Sequence, residues 1–163
     1  MVFLRTIEPT DQERILDILT SEQINKTYML PDFSQQEDAV PLFLRLMEMS
    51  QDAESYVRAI ATEDGLAGFL NSVEIQGKTI ELGYVIHPNF HGRGYMTEAL
   101  LLAMEELFAL GYEDVLTGAF STNISSIRVM EKCRMTKLDK TDEIQYRGVT
   151  HTCVYYRRKQ KES

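Results

Sequence analysis

Two glycines flank an arginine in the run His91-Gly92-Arg93-Gly94-Tyr95-Met96-Thr97-Glu98-Ala99. Glycine at a strand–helix junction lets the backbone approach a ligand closely. The first amides of the following helix lack partners inside it, and the helix dipole places partial positive charge there. With Arg93, which can pair with a phosphate oxygen, these groups predict a cradle for a phosphate ester. A turn that merely reverses the chain would use the same glycines, so the flanking residues must decide. Before the run, Ile80 to Ile86 reads as a strand. After it, Thr97 and Glu98 suit a first helical turn. Met96, Leu100, Ala103, Leu107 and Leu110 recur at the spacing of one buried helix face, and Gly111 is placed as the stop.

The kind of phosphate ester is constrained by what the loop lacks. A Walker A loop ends in Gly-Lys-Ser or Gly-Lys-Thr, and neither is present. A dinucleotide fingerprint wants a small third residue where this chain has Thr97. Glu113 or Asp114 nevertheless stands where a ribose-binding acid belongs, so that option survives locally. It also requires repeated strand–helix–strand units, which the rest of the chain does not supply.

The elements that must position this loop read as follows. Val2 to Ile7 is a short strand. Thr10-Asp11-Gln12-Glu13 is a capping box leading Ile15, Leu16, Ile18 and Leu19 into a helix. Asn25 to Phe33 reads as a loop. Ser34-Gln35-Gln36-Glu37 is a second capping box before Val40, Phe43, Leu44 and Met47, with Pro41 kinking that helix or delaying its start. Tyr56 to Ala61, Leu66 to Val73 and Lys78 to Ile86 are strands joined by short turns, hence an antiparallel meander. Val115 to Phe120 is a strand and Asn123 to Lys132 a short helix. Thr136 to Tyr146 and Val149 to Tyr156 form a hairpin around Arg147-Gly148, and Gln160 to Ser163 reads as a frayed tail.

The chain has 163 residues, 44% hydrophobic and 26% charged, which predicts one soluble domain, 1–163, with a sizeable core. No apolar signal region opens it and no apolar run reaches membrane-spanning length, so a cytoplasmic address and no membrane partner are expected. A net charge of −8 lacks the basic footprint of a nucleic-acid binder and suits a cationic acceptor. Cys133 and Cys153 are expected to be reduced and inert. No metal is expected.

The run Glu81-Leu82-Gly83-Tyr84-Val85-Ile86-His87-Pro88-Asn89-Phe90-His91-Gly92-Arg93-Gly94-Tyr95-Met96-Thr97-Glu98-Ala99 resembles the acetyl-CoA site of the GNAT N-acetyltransferases. Within them it is most similar to the ribosomal-protein alanine acetyltransferases. A second block agrees: Asn123-Ile124-Ser125-Ser126-Ile127-Arg128-Val129-Met130-Glu131-Lys132-Cys133-Arg134-Met135 resembles the family's N-x-x-S-x-x-V-x-E-K-x-G helix. The resemblance implies an α+β fold whose mostly antiparallel sheet, flanked by helices, splays between the strands holding Ile80 to Ile86 and Val115 to Phe120. It implies acetyl-CoA as co-substrate, with its pantetheine arm in the gap and its pyrophosphate on the glycine loop. The contacts it implies are Val85, Ile86, His91, Gly92, Arg93, Gly94, Tyr95, Met96, Thr97, Asn123 and Ser126. An amine is the other reactant. Oligomeric state stays open, a homodimer being common in the group.

The chemistry such a reaction demands singles out further residues. An ammonium cannot attack a thioester, so a base must take the amine's proton. The resemblance makes Glu81 the base, directly or through a water; a strand-end salt bridge is the plainer reading. His87 and His91 titrate in a useful range but lie on the phosphate side, where loop packing suits them better. His151 reads as a strand-surface residue. Asn123 and Ser126, three apart, share a helix start, where Asn caps well; Ser126 could bond the departing thiolate.

Three departures from the family pattern stand out. Met130 replaces a tyrosine that protonates the thiolate in many relatives. Asn89 stands where Gln or Arg is frequent. Arg134 stands where glycine is usual, so a positive φ there would cost some strain. Met130 and Asn89 keep open a CoA-binding sensor or lapsed enzyme, and the dinucleotide option for the loop keeps open a nucleotide-dependent oxidoreductase.

Overall fold

A computed structural model describes residues 1–26 and 30–161. The loop expected from Asn25 to Phe33 therefore falls partly outside the described residues, with Tyr28 and Met29, as do the last two residues of the tail. Seven strands form one sheet: β1 (Phe3–Arg5), β2 (Val57–Thr62), β3 (Gly65–Gln76), β4 (Thr79–Ile86), β5 (Asp114–Phe120), β6 (Thr136–Tyr146) and β7 (Val149–Lys159). Their order in the sheet is β1-β2-β3-β4-β5-β7-β6. Neighbours are antiparallel except β4 and β5, which are parallel. The parallel pair follows from its connection, the long helix α4 (Tyr95–Ala109), which carries the chain back across the sheet. One parallel pair in an antiparallel meander is not a dinucleotide-binding sheet. Both acids considered for a ribose have partners: Asp114 accepts from Arg157 Nε at 3.2 Å, and Glu113 lies 3.6 Å from Lys78.

Helices cover both faces. Helix α4 and α5 (Ile124–Lys132) bury Leu100, Ala103, Leu107 and Met130 against Ile80, Leu82, Tyr84 and Ile86. Helices α1 (Gln12–Leu19) and α3 (Val40–Met49) bury Ile15, Leu19 and Phe43 against Val57, Ala59, Phe69 and Val85 on the other face. Strand alternation thus sends Ile80, Leu82, Tyr84 and Ile86 one way and Glu81, Gly83 and Val85 the other. Leu110, read as part of the buried stripe of α4, is 63% exposed, because the helix has already ended at Ala109. Gly111 does supply the stop, at φ 107°.

Both capping boxes sit away from their expected positions. The first lies two residues earlier, where the Glu8 amide donates to Asp11 Oδ2 at 2.8 Å and a 3-10 turn from Pro9 to Asp11 precedes α1. The second is shifted by one, with the Gln35 amide donating to Asp38 at 3.1 Å. In each case an aspartate, short enough to fold back on the chain, takes the role assigned to a glutamate. Pro41 falls in the first turn of α3, where its missing N–H costs nothing. A one-turn helix, α2 (Glu22–Asn25), was not foreseen. Ser21 caps it, accepting from the Ile24 amide at 3.3 Å. Among the described residues, no helix is long and apolar enough to cross a membrane.

Candidate active site

β4 and β5 pair from Thr79–Asp114 to Leu82–Thr117 and then part. Beyond that point β4 stays bonded to β3 as far as Ile86, and β5 stays bonded to β7 as far as Phe120. The ladder between β4 and β5 thus ends at Leu82–Thr117, short of the end of either strand. Two cavities open at this split. The larger, about 460 Å³, lies over Glu81, Gly83 and Val85 and is closed by Phe120, Asn123 and Tyr155. The smaller, about 320 Å³, runs under the glycine loop between α4 and α5. They share two lining residues, Tyr84 and Ser126.

The glycine loop has the geometry of an anion cradle. Gly92 and Gly94 hold φ of 77° and 75°, a region costly for side-chain-bearing residues. Gly94 is the N-cap of α4, whose first backbone bond runs from the Glu98 amide to the Gly94 carbonyl at 3.1 Å. The amides of Tyr95, Met96 and Thr97 thus precede the hydrogen-bonded ladder. His91, Gly92, Gly94, Tyr95, Met96 and Thr97 all line the smaller cavity.

Other residues assigned to this cavity sit differently. Arg93 is not in its lining. Its guanidinium lies over the Phe90 ring, 5.6 Å from the centroid, and 3.6 Å from Asp64. The cations that do line the cavity are Arg128 and Lys132 on α5. Their spacing of four residues puts them on one helix face, a pattern visible in the sequence. His91 Nε2 lies 3.0 Å from the Ile86 carbonyl, and His87 Nδ1 accepts from the Asn89 amide at 3.1 Å. Burial and the nearby Arg14 lower the His87 pKa. Each ring is thus held by a backbone group within five residues of it, and His91 also lines the smaller cavity.

On the larger cavity, Glu81 stands directly across from Glu74 of β3. A bulge at Val73 produces this pairing, re-aiming β3 beside the split. Like charges opposite one another destabilise a sheet, so their presence marks a site better than it marks a scaffold. Burial raises the Glu81 pKa, the charges of Glu74 and Asp142 raise it further, and Lys140 opposes them. A carboxylate held this way is a stronger proton acceptor than an ordinary glutamate.

The far wall is β5 and β7. A Cβ on Gly118 would stand 2.9 Å from the Tyr155 ring, so only glycine lets that ring close over β5. The Tyr155 hydroxyl donates to Asp142 at 2.7 Å. Cys153 lines this wall, and both cysteines are free. Burial pushes the Cys153 thiol up and the Cys133 thiol up to about 11, which keeps both protonated near neutrality. His151 is not a bare surface residue: it stacks on Phe120 with centroids 4.2 Å apart.

Asn123 caps α5, accepting from the Ser126 amide at 3.2 Å, and lines the larger cavity as well. Val85 lines the larger cavity rather than the smaller, because it alternates onto the Glu81 face. Met130 is fully buried under α4 and lines neither cavity, so its side chain stands away from the split. Arg134 does adopt a positive φ, 61°, in the turn after α5.

Residues 2–136 match the family described as "Acetyltransferase (GNAT) domain". The chain belongs to the GNAT acetyltransferase family. It is accordingly an acetyl-CoA-dependent acyltransferase of the N-acetyltransferase class. An uncharacterized N-acetyltransferase, YnaD, from Bacillus subtilis (strain 168) is 25% identical over 138 residues, 83% of this chain and 79% of the relative. Solved structures that share the fold include the following two. The microcin C7 self-immunity acetyltransferase MccE, in complex with acetyl-CoA and AMP, has a TM-score of 0.84 at 20% identity, covering 97% of this chain and 92% of that one. The ribosomal-protein-S5-alanine acetyltransferase from Vibrio fischeri has a TM-score of 0.84 at 13% identity, covering 99% and 94%.

Proposed function

We propose that this protein transfers the acetyl group of acetyl-CoA to a primary amine, protein N-terminal or small-molecule, by direct attack with both reactants bound. One observation carries the reading: the cavity under the glycine loop and the cavity that holds Glu81 share Tyr84 and Ser126 as lining, where β4 and β5 part. The donor fits the first. The amides of Tyr95, Met96 and Thr97 and the side chains of Arg128 and Lys132 would hold the pyrophosphate. The pantetheine arm would run between β4 and β5 beyond Leu82 and Thr117, where their ladder has ended. Acetyl-CoA supplies an acetyl group activated as a thioester.

The rest of the chemistry falls to the chain's own residues. Holding the two reactants together can supply several kcal/mol of the barrier. A backbone amide near the split would be the donor to the developing oxyanion. Glu81 accepts the proton of the attacking amine, directly or through water. Glu74, Glu81 and Asp142 also make the acceptor side anionic, which favours an amine that arrives as a cation.

The test is an assay of free thiol with acetyl-CoA and a panel of amines, including peptide N-termini and polyamines. Thiol release with at least one amine is expected. Stabilisation by acetyl-CoA with no release on any amine would make the protein a CoA-binding sensor instead. Replacing both Arg128 and Lys132 with alanine is expected to weaken acetyl-CoA binding about tenfold or more, since each charged phosphate contact contributes about 1.5–3 kcal/mol before solvent screening. Unchanged affinity by calorimetry would remove both from the site.

A further inference from the structure

The larger cavity offers its guest a single charge. Among the described residues, Glu81 is the one lining side chain that is ionised near neutrality, since burial keeps Cys153 and Tyr155 protonated. The two neighbouring acids stand outside the lining and have partners of their own. Glu74 accepts from Gln76 Nε2 at 2.8 Å. Asp142 accepts from the Tyr155 hydroxyl at 2.7 Å, with Lys140 Nζ 4.0 Å away. Much of the remaining wall is apolar: Phe69, Val85 and Phe120 are buried, and Leu30 and Ile144 half-buried.

Leu30 is fastened to the β6–β7 hairpin by one side chain. The Tyr146 hydroxyl donates to the Leu30 carbonyl at 2.9 Å and accepts from the Leu30 amide at 3.3 Å. Two residues on, Asp32 pairs with Arg147. The Tyr146 ring packs beside Phe120, with centroids 6.0 Å apart. Two segments 116 residues apart are thus clasped into one wall across the cavity from β4.

A lone carboxylate in an apolar wall is complementary to one ammonium on an apolar body. The ammonium meets Glu81, and the body gains by leaving water. A second ammonium carried against Leu30 and Ile144 would lose its hydration with no carboxylate to replace it. We propose that the acceptor is a monocationic primary amine borne on an apolar body, and that Leu30 and Ile144, clasped by Tyr146, select it against diamines and polyamines. This rests on the acetyl-transfer reading above. The amine gives a proton to Glu81, its nitrogen bonds the acetyl carbon, and the C–S bond breaks with its electron pair on sulfur. The products are an N-acetyl amide and CoA.

Two matched pairs of acceptors test this by thiol release. Hexylamine and 1,5-diaminopentane have the same chain length and differ by a terminal methyl against a terminal ammonium. A tripeptide beginning with Leu and one beginning with Lys make the same comparison at a peptide N-terminus. The apolar member is expected to have kcat/KM at least about tenfold higher in whichever series turns over faster, and that series names the source of the amine. Ile144→Asp supplies the missing second carboxylate and should bring the ratio to about one or reverse it. Ile144→Asn adds polarity without charge, and should weaken hexylamine without improving the diamine. Tyr146→Phe keeps the ring beside Phe120 and drops both bonds to Leu30. It should raise KM for hexylamine about fivefold with kcat within a factor of about two, leaving the acetyl-CoA dissociation constant unchanged.

A diamine or Lys peptide used as well as its apolar counterpart would overturn the proposal. So would an Ile144→Asp variant that binds acetyl-CoA and keeps the wild-type ratio. If that variant does not fold, Tyr146→Phe decides: an unchanged KM for hexylamine would remove the clasped wall from acceptor selection. Turnover with the reverse preference removes this inference alone. Absence of thiol release with every amine removes the acetyl-transfer reading and this inference with it.

Discussion

Replacing Gly94 with valine is expected to weaken acetyl-CoA binding at least a hundredfold while leaving the protein folded. Gly94 holds φ of 75° at the head of α4, and a Cβ built there meets nothing within 4 Å. The obstacle is therefore the backbone. A β-branched residue in the left-handed region costs about 1–2 kcal/mol and relieves that strain by rotating the peptides on either side. Those peptides carry the amides of Gly94 and Tyr95, two residues that line the smaller cavity. Losing one charge-assisted bond to a phosphate oxygen adds about 1.5–3 kcal/mol. The sum is about 3 kcal/mol or more, and each 1.4 kcal/mol is tenfold in affinity. Gly77→Val is the control. It has a comparable φ of 60° with nothing near its Cβ, but sits in the β3–β4 turn away from both cavities. It should lower stability to a similar degree and leave the acetyl-CoA dissociation constant unchanged. Equal affinities for wild type and Gly94→Val by calorimetry would end the phosphate-cradle assignment.

Glu81→Gln is expected to lower kcat by about a hundredfold to a thousandfold, within the range for loss of a general base. Acetyl-CoA affinity should stay within a factor of about two, because Glu81 faces the other cavity. The pH dependence follows from the direction of the shift. Burial and the neighbouring Glu74 raise the Glu81 pKa, so the wild-type rate should fall as pH drops through that raised value, above the ordinary glutamate range. The glutamine variant should lack this acid limb. Lys140 lowers the Glu81 pKa, so Lys140→Ala should move the limb to higher pH, and Glu74→Gln should move it to lower pH.

Stability should run the opposite way to activity. A carboxyl with a raised folded-state pKa favours folding below its unfolded value, and that contribution is lost as pH rises through the folded value. At neutral pH the ionised Glu81 is therefore a cost, and Glu81→Gln should raise the midpoint of thermal unfolding. A variant with normal turnover and a normal acid limb would show that Glu81 is not the base.

The elements were legible because their signals are local. The 3.6-residue stripe of α4, the short turns that forced an antiparallel meander, and the Arg147-Gly148 hairpin with φ of 52° and 76° are each written within a few residues. The glycine loop was legible for the same reason, since backbone conformation and the free amides of a helix start are properties of one short segment. The cap positions slipped by one or two residues because Asp and Glu both satisfy the pattern, and only the geometry of the turn selects the shorter side chain.

What the sequence by itself determined is the family, the order of the elements, and a glycine turn at Gly92 and Gly94 that opens α4. What only the tertiary structure decided is which side chains meet. A bulge at Val73 sets Glu74 opposite Glu81, and one residue's difference in register would have turned one of them to the other face. Arg128 and Lys132 replace Arg93 at the cavity, because α5 docks against the glycine loop while Arg93 lies over Phe90. Tyr84 and Ser126 are 42 residues apart in the chain and 2.8 Å apart in space. Such pairings depend on how strands and helices pack across a sheet, which no local pattern of residues encodes.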